Sequence, residues 1–388
     1  MQKSYDEINA KLKSGQAVVV TAEEVIDLVQ KQGIEETART VDVVTTATFA
    51  PMCSSGAFLN FGHADPPIRM TEVTLNQVPA YAGIAAVDAY IGATELSRVQ
   101  GMAYGGAHVI QDLVDGKEVE LVAKAYATDC YPRTEIRSTI SKDCLNQAYL
   151  FNPRNAYQNY AAATNSSDRT LHTYMGTLQP NCGNVTYQTA GELSPLLNDP
   201  YYRTIGIGTR IFLGGAQGFV AWEGTQHNPN QERGANGVPI GGAGSIAVIG
   251  DLKAMNSKFL QAAVFRGYGV TLLVGIGIPI PILDEEMLRY TAITNREIYT
   301  DLVDFGVGAR QRPVLKRVNY AELRSGEIEL AGRAVKTITF SSLTKARVIA
   351  QTLKAWLQQG QFMVEKPVQR LPLTVRQHHL RDADENEE

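Results

Sequence analysis

The chain has 388 residues, with 36 basic against 40 acidic side chains, and no basic stripe of the kind that marks a nucleic-acid surface. Apolar residues make up 44% and charged residues 20%, the balance of a globular protein with a sizeable core. The start, MQKSYDEINAKLKSG, lacks the apolar core of a secretory signal, and the longest apolar stretch, YGVTLLVGIGIPIPIL, is short and broken by Pro279 and Pro281. Neither nucleic acid nor membrane is an expected partner. A cytoplasmic protein is expected, whose four cysteines are free, catalytic or metal-bound rather than disulfide-linked.

In chain order, residues 21–33 carry a capping box, with Thr21 as N-cap, Glu24 three residues on and Gly33 as the stop. ARTVDVVTTATFAPMCSSG then predicts a strand, a turn at Pro51-Met52-Cys53 and a helix after it. Residues 80–100 read as an alanine-rich helix, and residues 118–127 as a strand ending just before Cys130. SKDCLNQAYL, around Cys144, looks helical.

Between Ile205 and Ile282, glycines punctuate short apolar runs, which predicts alternating strands and helices in a mixed α/β core. The polar segment 223–237, EGTQHNPNQERGANG, is expected to close over a small-molecule substrate, presenting Gln226 and His227 to it; the alternative is an ordinary surface excursion whose Gln226, His227 and Asn228 face solvent. Short strands follow over 318–340. A helix over 341–359 puts Ala346, Ile349, Ala350, Leu353 and Leu357 on one face and ends at Gly360. The expected organisation is a catalytic α/β domain over 1–315, a small C-terminal α+β lobe over 316–372, and a disordered acidic tail over 373–388 that includes His378 and His379.

The motifs narrow the chemistry. No CxxC, HExxH or Walker A loop is present. Gly242-Ala243-Gly244 lacks the third glycine of a dinucleotide fingerprint, so no nicotinamide or flavin site is evident. Cys130 stands in YATDCYPRTE, among turn residues rather than in an apolar run, with Arg133 close enough to favour a thiolate and Asp129 opposing it. Cys53, in APMCSSG, either faces backbone N–H groups that stabilise a thiolate or fills space under the turn. Cys182 sits in a turn, and three thiolates from Cys53, Cys130 and Cys182 are compatible with an iron–sulfur cluster. His63 could serve as a base near Cys53 or be an ordinary hydrogen-bonded loop histidine. Arg69, Arg133, Arg137 and Arg210 suit a carboxylate, or are solvated surface charges.

Four stretches, TTATFAPMCSSGAFLNFGHADPP, VPAYAGIAAVDAYIGATE, YATDCYPRTE and FLGGAQGFVAWEGTQHNP, together resemble the homocysteine biosynthesis family, the L-aspartate semialdehyde sulfurtransferases. The resemblance covers about residues 10–365. It implies synthesis of homocysteine from aspartate semialdehyde, with sulfur carried as a cysteine persulfide. The family's two marked cysteines match Cys53 and Cys130, and the persulfide carrier matches Cys130. A ferredoxin-like protein is the implied electron donor, and a homo-oligomer is expected. The alternatives are a cysteine-dependent acyl or thiol transferase, and a non-catalytic sulfur or iron–sulfur carrier.

Overall fold

Two long buried runs of the chain pair with each other. In the computed structural model, which describes residues 2–378 and 380, Val43–Pro51 and Gly269–Pro281 are antiparallel strands. Their register is continuous from Val43 opposite Pro281 to Pro51 opposite Leu273. Every residue of Val43–Pro51 is buried, which explains an unbroken β-branched and apolar run where a half-exposed strand would alternate.

Helix Leu343–Gln358 covers one face of this pair, using the five apolar residues that the helical period selects. Its approach depends on glycine: a Cβ at Gly277 would lie 3.0 Å from Ile349 Cγ2 and 3.2 Å from Leu353 Cδ2. Thr45 Oγ1 donates to Ala350 O at 3.0 Å, so the one polar group facing the helix is satisfied.

A ten-stranded sheet extends from this centre. Arg210–Leu213, Ala216–Glu223, Ile246–Asp251, Gln147–Asn155, Gly56–Asn60 and Asp88–Gly92 follow one another outward from Gly269–Pro281, all joined antiparallel. Leu260–Phe265 forms a hairpin with the first half of Gly269–Pro281. A six-stranded sheet has its own apolar cluster, centred on Leu302, Val318, Tyr320 and Leu323. A four-stranded sheet of Glu135–Ile140, Val119–Lys124, Glu72–Leu75 and Val78–Ala80 carries the loop with Cys130 at one end.

The mixed α/β class stands, but several expected helices are strands. Residues 80–100 hold Asp88–Gly92 and Leu96–Ser97, because alternation of buried Ala89 and Ile91 with half-buried neighbours fits sheet pairing better than alanine content fits a helix. The segment around Cys144 is a turn leading into Gln147–Asn155. Between Ile205 and Ile282 the elements are strands with one 3-10 turn, Leu252–Ala254, since glycine hairpins replace crossover helices. The helix Ala22–Thr40 has the expected capping box but breaks at Gly33 (φ 81°) and restarts. Residues 316–372 are shared between the six-stranded sheet and the helix on the large sheet. Of the acidic tail expected over 373–388, His379 and residues 381–388 lie outside the described residues.

The N-terminal segment is fastened by one carboxylate. Asp42 is 1% exposed and accepts from Lys11 Nζ at 2.7 Å, Lys3 Nζ at 3.2 Å and the Val18 N–H at 3.0 Å. Removing one partner of a buried pair leaves uncompensated charge, at a cost of about 3–5 kcal/mol. Asp42→Ala is therefore expected to lower unfolding stability by about that amount in urea titration, whereas Glu36→Ala, which breaks an exposed pair with Arg39, should cost under about 1 kcal/mol.

Candidate active site

The end of the central strand pair makes a turn that presents a thiol. After Pro51, the Met52 N–H donates to Leu272 O at 2.7 Å and the Ser55 N–H to Met52 O at 3.0 Å. Cys53 sits in this turn, half-buried, and Gly56–Asn60 follows as a strand rather than the expected helix. No helix N-terminus therefore stands behind the thiol.

Cys53 opens into a cavity of about 470 Å³. Met52 and Ser54 flank it on one side and Gly269–Thr271 on the other, while Tyr157, Tyr160, Tyr174 and Tyr268 form an aromatic wall. The ring centroids run 5.1 Å from Tyr157 to Tyr160, then 6.4 Å to Tyr174 and 6.4 Å to Tyr268. Among the described residues, Arg154 is the one permanently charged residue in the lining.

The turn is tied to the strand that carries Arg154. Ser54 Oγ lies 3.0 Å from Asn152 Oδ1 and 3.1 Å from Arg154 O, while fully buried Asn152 donates from Nδ2 to Ser55 Oγ at 2.8 Å. Pairing of Gln147–Asn155 with Ile246–Asp251 shifts register between Asn152 and Asn155. Such a bulge re-aims side chains, and here it holds Pro153, which has no N–H for the ladder, and Arg154.

Burial pushes the phenol of Tyr157 up to about 12, against the pull of Arg154, with Cys53 adding a smaller upward push. Burial raises Tyr160 and Tyr268 too. These groups are neutral hydrogen-bond donors at neutral pH. They suit an oxygen that gains negative charge, such as that of a carbonyl under attack.

The other sequence-selected residues lie elsewhere. Cys130 is exposed in the loop after Val119–Lys124, where Tyr131 stacks on His63 at 6.1 Å and Arg133 bridges to Ile68. Cys53 precedes Gly56–Asn60 and His63 follows it, so the two cysteines occupy opposite ends of that strand, whose five residues span about 13 Å. A disulfide needs Cα atoms within about 7 Å. Cys182 packs beside the core of the six-stranded sheet, and Cys144 is exposed beside Ser141. Among the described residues no three His, Cys, Asp or Glu side chains gather as metal ligands. Cys53, Cys130 and Cys182 thus do not form a cluster cradle within one copy.

Arg210 pairs with Glu365 at 2.6 Å, Arg137 pairs with Glu120, and Arg69 is exposed. His227 is buried, with Nδ1 3.0 Å from Ser245 O and Nε2 3.0 Å from Pro372 O, and Gln226 is exposed. Residues 223–237 hydrogen-bond to neighbouring segments. Arg233 donates to Pro200 O and Gly237 O, and Asn236 to Glu297 O. None of these residues lines the Cys53 cavity. Sequence reasoning missed Arg154 and the tyrosines. The signal available was FNPRNAYQNY, where a proline inside a strand pattern marks a bulge.

Tyr157 gives a direct check of this electrostatic picture. Its raised pKa means that the folded state holds the phenolic proton through pH 10 and loses stability only as pH rises toward about 12. An ultraviolet difference titration between wild type and Tyr157→Phe is expected to stay flat to about pH 11. A step near pH 10 would show an open, solvated phenol instead.

Comparison with known proteins bears on what this cavity does. A family described as "Homocysteine biosynthesis enzyme, sulfur-incorporation" matches residues 17–364. An L-aspartate semialdehyde sulfurtransferase of Methanosarcina acetivorans is 54% identical over 96% of this chain and 72% of its own length. Another protein of that name, from Methanocaldococcus jannaschii, is 51% identical over 96% of this chain and 74% of its own. No solved structure matches. The match spans both the Cys53 turn and the Arg154 strand, and the chain belongs to the family of sulfur-incorporating homocysteine biosynthesis enzymes.

Proposed function

We propose that this chain is an L-aspartate semialdehyde sulfurtransferase that makes L-homocysteine, with the reaction at the Cys53 cavity. The observation that carries the reading is a half-buried thiol facing a small, aromatic-walled cavity whose sole charge is an arginine. That is a setting for a small electrophile that carries a carboxylate. The names of the two relatives supply the substrate class.

The chemistry sets what else is needed. An aldehyde, hydrogen sulfide, two electrons and two protons give a primary thiol and water. Sulfur held as a persulfide needs two further electrons, because its S–S bond must also be cleaved. The persulfide's terminal sulfur attacks the aldehyde carbon. The tyrosine wall hydrogen-bonds the developing alkoxide. The Cys53 thiolate then attacks the carrier sulfur of Cys130, forming a Cys53–Cys130 disulfide and releasing the substrate as its thiohemiacetal. The thiohemiacetal loses water to give a thioaldehyde, and a ferredoxin-like partner supplies two electrons that reduce its carbon to the thiol and two that return the disulfide to thiols.

Cys130 is the sulfur carrier in this scheme. Its exposed loop can meet a sulfur donor at the surface. Delivery to Cys53 then requires either movement of residues 125–134 or approach of Cys130 from another copy in a homo-oligomer.

Anaerobic assays of homocysteine formation from aspartate semialdehyde, sulfide and a reductant test the scheme. Cys53→Ser and Cys130→Ser are each expected to lose activity by on the order of 1,000-fold, as removal of nucleophiles does elsewhere. Full activity in Cys53→Ser would remove the reaction from this cavity, and full activity in Cys130→Ser would remove the carrier. Mixed Cys53→Ser and Cys130→Ser subunits regain activity only if sulfur crosses between copies.

A further inference from the structure

Arg154 is unlike the other well-placed arginines of this protein. Arg203, Arg210, Arg317 and Arg347 each hold a carboxylate. Arg154 holds none among the described residues, and the cavity it lines contains no acidic side chain. Its Nε is buried without a hydrogen-bond partner, a state it shares with Arg210 and Arg312, and Thr271 Oγ1 in the same lining is unpartnered too. Unpartnered buried donors are uncommon in native proteins and call for a ligand or a water. A guanidinium beside aromatic walls makes the stronger demand, since its charge is poorly solvated there.

The position is also held firmly. Ser54 and Asn152 cross-link the Cys53 turn to the Arg154 backbone, and the Arg154 N–H donates to Asn152 Oδ1 at 2.8 Å. Thiol and guanidinium therefore face one small volume from adjacent, hydrogen-bonded segments.

We propose that Arg154 binds the carboxylate of the substrate through its guanidinium in a bidentate pair, with the chain of the substrate directed so that its carbonyl carbon meets the sulfur at Cys53. The selected class is a short amino-acid aldehyde with a free carboxylate. This assignment rests on the sulfurtransferase reading of the cavity, but its anion-binding part does not. A fork of parallel N–H donors fits a carboxylate in one orientation, which a lysine does not reproduce. Arg133 and Arg210, the arginines favoured by sequence alone, do not face this volume.

Alkylation separates anion binding from turnover. Iodoacetate and iodoacetamide differ in carrying or lacking a carboxylate, and peptide mass mapping reads Cys53 apart from exposed Cys144. In wild type, the iodoacetate-to-iodoacetamide rate ratio at Cys53 is expected to exceed that at Cys144 by about tenfold or more. In Arg154→Gln the two ratios should become equal. Arg154→Lys keeps a point charge, so it should retain part of the preference while raising KM for aspartate semialdehyde by about tenfold and changing kcat much less. A wild-type ratio at Cys53 in folded Arg154→Gln, or an unchanged KM in Arg154→Lys, overturns the assignment. Loss of the preference in Arg154→Gln, combined with no homocysteine formation by wild type, would uphold the anion site and reject the sulfurtransferase reading.

Discussion

The pairing of Val43–Pro51 with Gly269–Pro281 is the constraint on which the site depends. The register fixes where both strands end, and both ends contribute to the same cavity: Pro51 to Ser54 from one, Gly269 to Thr271 from the other. Burial on both faces makes slippage costly, because a one-residue shift would turn every side chain to the opposite face. The turn that carries the Cys53 thiol is thus anchored at the end of a long buried ladder. That is how a fold achieves precise placement of a reacting group.

The cavity's polarity follows from what surrounds that ladder. Tyr157 and Tyr160 come from the segment after the bulged strand, and Tyr174 from the hairpin Leu171–Thr173 to Gly176–Leu178. They meet the strand ends where the large sheet borders the six-stranded sheet. Bulky rings limit water, and their phenols retain polar contact with whatever enters. Water exclusion suits sulfur chemistry, since a thiohemiacetal reverts easily and a persulfide is lost to stray reductants. Among the described residues, a single cation with no acidic residue in the lining biases the volume toward carboxylates and other anionic groups.

Parts of this were legible in the sequence because local rules decided them. The capping box at Thr21 and Glu24 and the apolar face of Leu343–Gln358 are set within one element, and both were readable. The strand ending at Pro51 was readable because it is buried on both faces and so is an unbroken run of β-branched and apolar residues with no charge. Residues 80–100 misled because alanine content is a weak prior that sheet pairing overrode. The site was half legible. Turn chemistry drew attention to Cys53, but Arg154 is brought to it by pairing of strands about a hundred residues apart, and no periodicity encodes that. His227 and Arg210 looked available in sequence and are occupied in the fold by Ser245, Pro372 and Glu365.

The central claim is that substrate and product occupy the Cys53 cavity. A crystal structure of the anaerobically prepared protein with L-homocysteine tests it most directly. The expected result is product density between Cys53 and the tyrosine wall, with its carboxylate within hydrogen-bond distance of the Arg154 guanidinium. Homocysteine bound beside Cys130 and His63, with the Cys53 cavity holding only water, would contradict it.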